Sequence, residues 1–272
     1  MYQVYFTADI DEQLSEKLAL HAQSISILYD EKAIIALFDD EDEIPSFAKD
    51  YILQINNLEE EVWKYRYLDY LTGVAITPSI YVYPTTKALG GDSSYKYTIA
   101  LNPKDAFGDG THPTTRMCIQ QLETIVNTFS PEELQSLTLC DIGTGTGIIA
   151  IVAAMLGIGT IEAFDIDTTS VERAKENAAQ NGCNRISFFV SDVADMKAYK
   201  KYKIIVANLL SDIIEKNVTN IVSLVEKGGT IILSGVGHRW VKGIIQLFQQ
   251  CGCTPIHDES MSNWHCIVLK AK

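Results

Sequence analysis

Residues 139 to 167, LCDIGTGTGIIAIVAAMLGIGTIEAFDID, constrain this chain more than any other stretch. They read as an apolar strand, a Gly-x-Gly-x-Gly turn, an apolar helix beginning at Gly147 and a second strand ending in acids. A glycine turn lets a ligand approach the backbone where a Cβ would block it. The helix start presents free N–H groups and the positive end of its dipole to that ligand. Asp165 lies 22 residues after Gly143, close to the spacing at which a second-strand acid reaches ribose hydroxyls. The glycines alone would suit any strand-to-helix turn; with Asp165 they imply an adenosine-containing cofactor.

The glycine pattern separates two large cofactor classes. The dinucleotide fingerprint is G-x-G-x-x-G, with a pyrophosphate at the helix start. Here Gly143, Gly145 and Gly147 alternate, and Ile148 stands where the third dinucleotide glycine belongs. No Lys or Arg lies between Asp141 and Gly159, so nothing basic is offered to a phosphate. A nucleoside without phosphates fits such a turn, and S-adenosylmethionine is the expected cofactor.

A chain of 272 residues with 47% hydrophobic and 21% charged residues has room for one large and one small domain. The start, MYQVYFTADIDEQ, has no basic region and no apolar stretch of signal-peptide length. The longest apolar run, Ile148 to Ile158, is too short to cross a bilayer. These features predict a cytoplasmic protein with no membrane partner. Of the six cysteines, none forms a C-x-x-C pair or ligand spacing with histidine, so neither a metal nor a disulfide is expected. Residues 1–72 hold 16 acids against 5 bases, so most of the net charge of −13 lies there. Such a field repels naked nucleic acid and attracts cationic partners, unless it serves solubility alone.

The first 70 residues alternate strand and helix signals. MYQVYFTA reads as a strand, Asp11–Gln23 as a helix, and SISILYDEKAIIALFD as a hairpin turning at Asp30-Glu31. Ile44–Ile55 reads as a second helix and Glu61–Tyr70 as a last strand, which together give an α+β ferredoxin-like domain over 1–70. Residues 71–90 read as a linker, followed by a catalytic domain over 91–272, with SIYVYP and YKYTIAL as hairpin-like strands leading in. From about residue 116 helices and strands alternate, as an α/β doubly wound sheet requires. One helix is expected over Asp212–Val225, and two closing strands add an antiparallel hairpin to the parallel sheet. The cofactor belongs at the carboxyl ends of the strands.

Three more segments fall near those ends. DAFGDGTHPTTR, 105–116, is a small polar loop that reads as a lid over the cofactor; alternatively Thr114 or Thr115 simply caps the next helix. His112 beside Pro113 suits a hydrogen-bonded structural role. Asn208 ends the apolar strand IIVAN, where its amide oxygen can accept a hydrogen bond from a substrate nitrogen; capping the next helix is the alternative. Asp192 either meets an adenine amino group or caps a turn.

These segments together resemble the ribosomal protein L-eleven methyltransferases. The likeness rests on DAFGDGTHPTTRMCIQQLE, on the glycine-turn stretch through AKENAAQNG, on IVANLLSDII and on GGTIILSGV, roughly residues 100 to 240. It implies a small substrate-recognition domain joined by a linker to a class I methyltransferase domain. It implies cofactor contacts at Thr115, Gly143, Asp165 and Asn208, alongside Gly145 of the same turn, with Asn208 also holding the acceptor amine. It implies transfer of methyl groups to lysine ε-amines and the N-terminal α-amine of a basic ribosomal protein. A monomer is expected, and the acidic charge balance opposes direct nucleic-acid binding. Asp109 departs from the small residue usual in the lid motif. No general base is legible. The remaining readings are a methyltransferase of the same fold acting on another protein or a small molecule, and a non-catalytic protein-binding module.

Overall fold

The computed structural model describes residues 2–7, 14, 18, 21–22, 24–28, 33–38, 40–57, 73–85, 92–102, 107–196 and 200–272. The chain divides into two compact units, Met1–Tyr70 and Leu71–Lys272.

In the first unit, strands β1 (Tyr2–Thr7), β2 (Ser24–Leu28), β3 (Ala33–Phe38) and β4 (Ile52–Asn57) form one sheet in the order β2-β3-β1-β4, with every neighbour antiparallel. The alternation in YQVYFT turns Val4 and Phe6 inward, opposite Ala36 and Ile34, and Phe6 meets Phe38 edge to face at 6.5 Å. Leu14 and Leu18, helical and buried, close this core with Ile44 and Ala48. The other residues of the expected first helix, apart from His21 and Ala22, lie outside the described residues, as does the turn at Asp30-Glu31. The helix expected over Ile44–Ile55 is not there. Two short 3-10 turns, Glu41–Glu43 and Ser46–Tyr51, run directly into β4. Pro45 separates the two turns by holding Ile44 out of helical geometry, and pairing with β1 takes the rest of the segment into a strand. Thus β4 pairs with β1; the strand expected over Glu61–Tyr70 lies outside the described residues.

The second unit carries a seven-stranded sheet built from β8 (Thr138–Ile142), β9 (Thr160–Asp165), β10 (Ser187–Val190), β11 (Tyr202–Asn208), β12 (Val225–Gly237), β13 (Cys253–Met261) and β14 (Trp264–Ala271). Its order is β10-β9-β8-β11-β12-β14-β13. The chain switches direction between β8 and β11, and β14 runs antiparallel to both β12 and β13. Leu139–Ile142 and Ile204–Ala207 are buried throughout, as strands covered on both faces must be. Helices α1 (Pro113–Val126), α2 (Pro131–Ser136), α3 (Ile148–Met155), α4 (Thr168–Gln180), α5 (Ser211–Lys216), α6 (Val218–Leu224) and α7 (Val241–Gln250) complete the unit. Val171, Ala174 and Ala178 form the buried face of α4. The single helix expected over Asp212–Val225 is split at Asn217, whose side chain donates to the Ile213 carbonyl at 3.0 Å and competes with the helix ladder.

Residues 74–84, expected as part of a linker, are instead packed into this unit. Strands β5 (Val74–Ala75), β6 (Ile80–Pro84) and β7 (Tyr97–Leu101) form a small sheet, and Ile76, Ile80 and Val82 are buried in the core shared with α1 and α3. β6 and β7 pair in parallel rather than as a hairpin. Two asparagines one helical turn apart on α4 fasten β7 in place. Asn181 accepts from Ala100 N at 2.9 Å and donates to Ala100 O at 2.7 Å; Asn177 does the same to Asn102, at 2.9 and 3.2 Å. An i, i+4 step on a helix rises about 6 Å, matching two residues of strand, so the side-chain amides imitate a strand partner. Asn177 is 1% exposed and also donates to the Thr146 carbonyl at 2.9 Å, reaching the glycine turn. Replacing Asn177 with Ala leaves these buried groups unpaired. It is expected to lower the stability of the second unit by roughly 2–4 kcal/mol, measured by urea unfolding followed through tryptophan fluorescence.

Candidate active site

The glycine turn lies between the carboxyl ends of β8 and β9. Gly143 N–H and Thr144 N–H both donate to the Phe164 carbonyl, at 2.9 and 3.0 Å. Gly143, Gly145 and Gly147 have φ of +72°, +53° and +83°, a region that excludes most side chains. Space adds a second reason. A Cβ at Gly145 would collide with the Phe107 carbonyl oxygen and one at Gly143 with Leu209, while one at Gly147 would lie 2.9 Å from Ala174 Cβ. The close approach read from the sequence as a ligand's is therefore made, at these Cβ positions, by the chain itself.

Asp165 ends β9 beside the turn. Its Oδ2 accepts from Gly145 N–H at 3.0 Å and its Oδ1 from Asp167 N–H at 3.1 Å. A carboxylate oxygen has two lone pairs, so each retains acceptor capacity for a further partner. Gly143, Gly145 and Asp165 are thus brought together.

The 107–112 segment rests on this turn. Thr146 N–H donates to the Phe107 carbonyl at 3.0 Å and Thr146 Oγ1 to the Gly108 carbonyl at 2.6 Å. Asp109, the residue that departs from the lid motif, accepts from Thr111 N–H and Oγ1 at 2.8 and 2.7 Å and closes a tight Asx turn. α1 begins earlier than the sequence indicated. Its cap is His112, whose Nδ1 accepts from Thr114 N–H at 3.3 Å, with Pro113 at the first helical position. Burial disfavours the charged form of His112 and pushes its pKa down. Its ring sits edge-on to Phe107 at 5.2 Å and to Trp264 at 5.6 Å. Phe107 itself is 57% exposed.

Thr115, fully buried in the first turn of α1, accepts from Asn208 Nδ2 at 3.4 Å. Asn208 ends β11, and its Oδ1 has no hydrogen-bond partner among the described residues. It does not cap the following helix, whose cap is Leu210. Asp192 does cap a 3-10 turn, accepting from Ala194 N–H at 2.8 Å. The loop after β11 lies across β12: Leu209 N–H donates to Ser234 O at 3.1 Å, and a Cβ at Gly235 would strike the Leu209 carbonyl.

One acid escaped the sequence argument. Asp141, at the end of β8 beneath the turn, is completely buried; Oδ2 accepts from Thr144 Oγ1 at 2.7 Å and Oδ1 has no partner. Burial is the main cause that raises its pKa to about 7; Asp165 adds to it and Thr144 opposes it. Only its place just before the glycines could have singled it out.

A turn of positive-φ glycines with an acid beside it, and no Lys or Arg between Asp141 and Gly159, suits a nucleoside carrying its own positive charge. The sheet order, with an antiparallel strand inserted next to the last position, is that of the class I S-adenosylmethionine-dependent methyltransferases, and this chain is one of them. The family model described as "Ribosomal protein L11 methyltransferase (PrmA)" matches residues 4–272. A ribosomal protein L11 methyltransferase from Clostridium botulinum is 34% identical over 81% of this chain and 68% of its own length. One from Bacillus subtilis is 32% identical over 80% and 68%. The crystal structure of a ribosomal protein L11 methylase from Lactobacillus delbrueckii subsp. bulgaricus matches with a TM-score of 0.66 and 27% identity, covering 74% of this chain and 99% of that one. The chain belongs to the ribosomal protein L11 methyltransferase family, which does not favour a non-catalytic module. Among the described residues, no helix is long and apolar enough to cross a membrane.

Asp141 makes a pH prediction for the cofactor-free protein. Its pKa is higher folded than unfolded, so the folded state holds a proton that the unfolded state has lost. Stability is therefore highest below pH 4 in this contribution and falls as pH rises towards 7, by on the order of 4 kcal/mol at about 1.4 kcal/mol per pH unit. Asp141→Asn should flatten that slope in urea titrations between pH 4.5 and 7.5.

Proposed function

We propose that this chain transfers methyl groups from S-adenosylmethionine to lysine ε-amines and the N-terminal α-amine of ribosomal protein L11. The observation that carries this reading is Asn208, whose amide nitrogen is committed to Thr115 while its oxygen is free to accept from an amine. An acceptor of that kind, at a strand end beside the glycine turn, suits a nitrogen nucleophile.

Gly143, Gly145 and Asp165 hold the nucleoside portion of the cofactor, with Asp165 receiving the ribose hydroxyls. Thr115 and Asn208 bound the other side of the pocket. When bound, the cofactor supplies a methyl group already activated by a positive sulfur. The chain's own task is alignment of a neutral amine and exclusion of water. Asn208 Oδ1 orients the amine, and the 107–112 segment, fixed on Thr146, covers the site. Phe107, His112 and Trp264 give the rim an aromatic surface that favours a cationic substituent.

Residues 1–70 serve as the substrate-recognition unit and residues 71–272 carry out transfer. Asp40, Glu41, Asp42 and Glu43 lie exposed on one short 3-10 segment, and Phe47, Tyr51, Leu53 and Ile55 expose apolar surface close by in the chain. An acidic rim beside apolar side chains suits a basic protein partner and opposes nucleic acid. A monomer acting in the cytoplasm completes the reading.

Incubating the protein with S-adenosylmethionine and purified ribosomal protein L11 should add multiples of 14 Da to L11, read by mass spectrometry; an unmodified substrate would refute the reading. Asp165→Ala should weaken cofactor binding by roughly 1–3 kcal/mol in calorimetry, and unchanged affinity would remove Asp165 from the site. The combined change Glu41→Gln, Asp42→Asn and Glu43→Gln should lower kcat/KM for L11 by about threefold to tenfold at low salt, with the difference shrinking at high salt. Its affinity for the cofactor should be unchanged.

A further inference from the structure

At the carboxyl end of β12, two histidines and an acid form a hydrogen-bonded line that the reading above does not use. Asp258 Oδ1 lies 2.9 Å from His265 Nδ1, and His265 Nε2 lies 3.0 Å from His238 Nδ1. The two rings sit 5.2 Å apart. Sheet topology creates the alignment: β14 is inserted between β12 and β13, so His265 pairs with Val236 on one side and with Ser260 on the other. His265 is 13% exposed, Asp258 40%, and His238 stands exposed just past Gly237.

The order of atoms fixes the tautomers. An ionised carboxylate only accepts, so His265 Nδ1 carries the hydrogen. A neutral imidazole has one N–H, so His265 Nε2 is a lone pair and His238 Nδ1 must donate to it. That leaves His238 Nε2 as a bare lone pair, and it has no hydrogen-bond partner among the described residues. The arrangement is an acid that orients one imidazole, which in turn orients a second. It is not a metal site, since each inner nitrogen is already engaged; among the described residues, no group of three His, Cys, Asp or Glu could hold a metal ion.

Contacts of its immediate neighbours connect the line to the residues around Asn208. Gly237 N–H donates to Ser211 Oγ at 3.0 Å, and Ser211 Oγ donates to Gly235 O at 3.2 Å, lacing the loop that follows Asn208 to the end of β12. Trp264, beside His265, packs on His112, and three residues further along α1 Thr115 holds Asn208. Ser234 Oγ donates to the His265 carbonyl at 3.0 Å.

We propose that Asp258, His265 and His238 form a proton relay for the acceptor amine, with His238 Nε2 as the atom that takes the proton. The proposal rests on the amine-methylating reading. An ammonium N–H bond breaks, the Nε2–H bond forms, and the electron pair stays on the amine nitrogen. The resulting imidazolium is hydrogen-bonded through His265 to the Asp258 carboxylate, which compensates its charge. Exposure of His238 lets the proton leave to water. Among the described residues, titratable or charged groups next to the line in the chain or its contacts include Glu259 on β13, engaged by Gln121 and 3.8 Å from His257, Arg239 over the Trp240 ring, and His112 against Trp264.

The test is single-turnover methyl transfer to ribosomal protein L11 between pH 6 and 10, paired with nitrogen-15 NMR of the histidine rings. His238→Gln should cut the rate at pH 7 by about 10²- to 10³-fold, within the span of general-base contributions. The deficit should shrink towards pH 10, where the amine loses its proton unaided. Asp258→Asn should cut the rate at pH 7 by about tenfold, and both variants should bind S-adenosylmethionine as wild type does. NMR should find both rings with hydrogen on Nδ1 in the neutral state. A His238→Gln rate within twofold of wild type at pH 7, or His238 carrying its hydrogen on Nε2, overturns the relay. Should wild type fail to label L11, the substrate reading fails, and the NMR tautomers alone still decide the relay.

Discussion

The Phe164 carbonyl, accepting from both Gly143 N–H and Thr144 N–H, is the interaction on which the active-site end of this molecule depends. It bends the chain sharply out of β8 and holds the turn against the end of β9. With the turn fixed there, Gly145 N–H meets Asp165, and Thr146 presents its N–H and hydroxyl to the 107–108 backbone. Loss of that bend would free the acid, the cover and the start of α3 together. Asn177 reinforces the geometry from below by binding Thr146 and Asn102 at once.

A second constraint comes from the far side of the sheet. Inserting β14 between β12 and β13 places an antiparallel strand beside the last parallel one, so residues distant in sequence share a row. Cys118, buried on α1, lies against Cys266 and Ser234, while His265 reaches His238 and Asp258. The loop after β11 closes the remaining gap by lying on Gly235, where no side chain fits. The glycine turn, the Asn208 amide and the histidine line are therefore held by neighbouring strand ends and the start of α1, which suits the proposed chemistry, since it depends on alignment.

Much of the second unit was legible because its signals are local. Continuous apolar strands, the apolar face of α4 and positive-φ glycines each follow from neighbours in sequence. Elements whose form depends on competition carry no such local signal. Ile44–Ile55 has helical spacing, yet pairing with β1 made its end a strand. Asn217 looked like one polar residue in a helix, but its amide broke the ladder. Residues 74–84 looked like a connector because their burial is provided by α1 and α3, which lie far along the chain.

By itself the sequence determined the class of sheet, the glycine turn, the acid beside it and the amide at the end of β11. These depend on backbone conformations and strand ends that nearby residues dictate. Only the tertiary structure decided what fills the space beside the glycines, which asparagine pair carries β7, and that Asp141 is buried with one oxygen unpaired. It alone joined His238, His265 and Asp258, because their alignment comes from strand order and register rather than from spacing. Hydrogen bonds across a sheet link residues that no local pattern brings together.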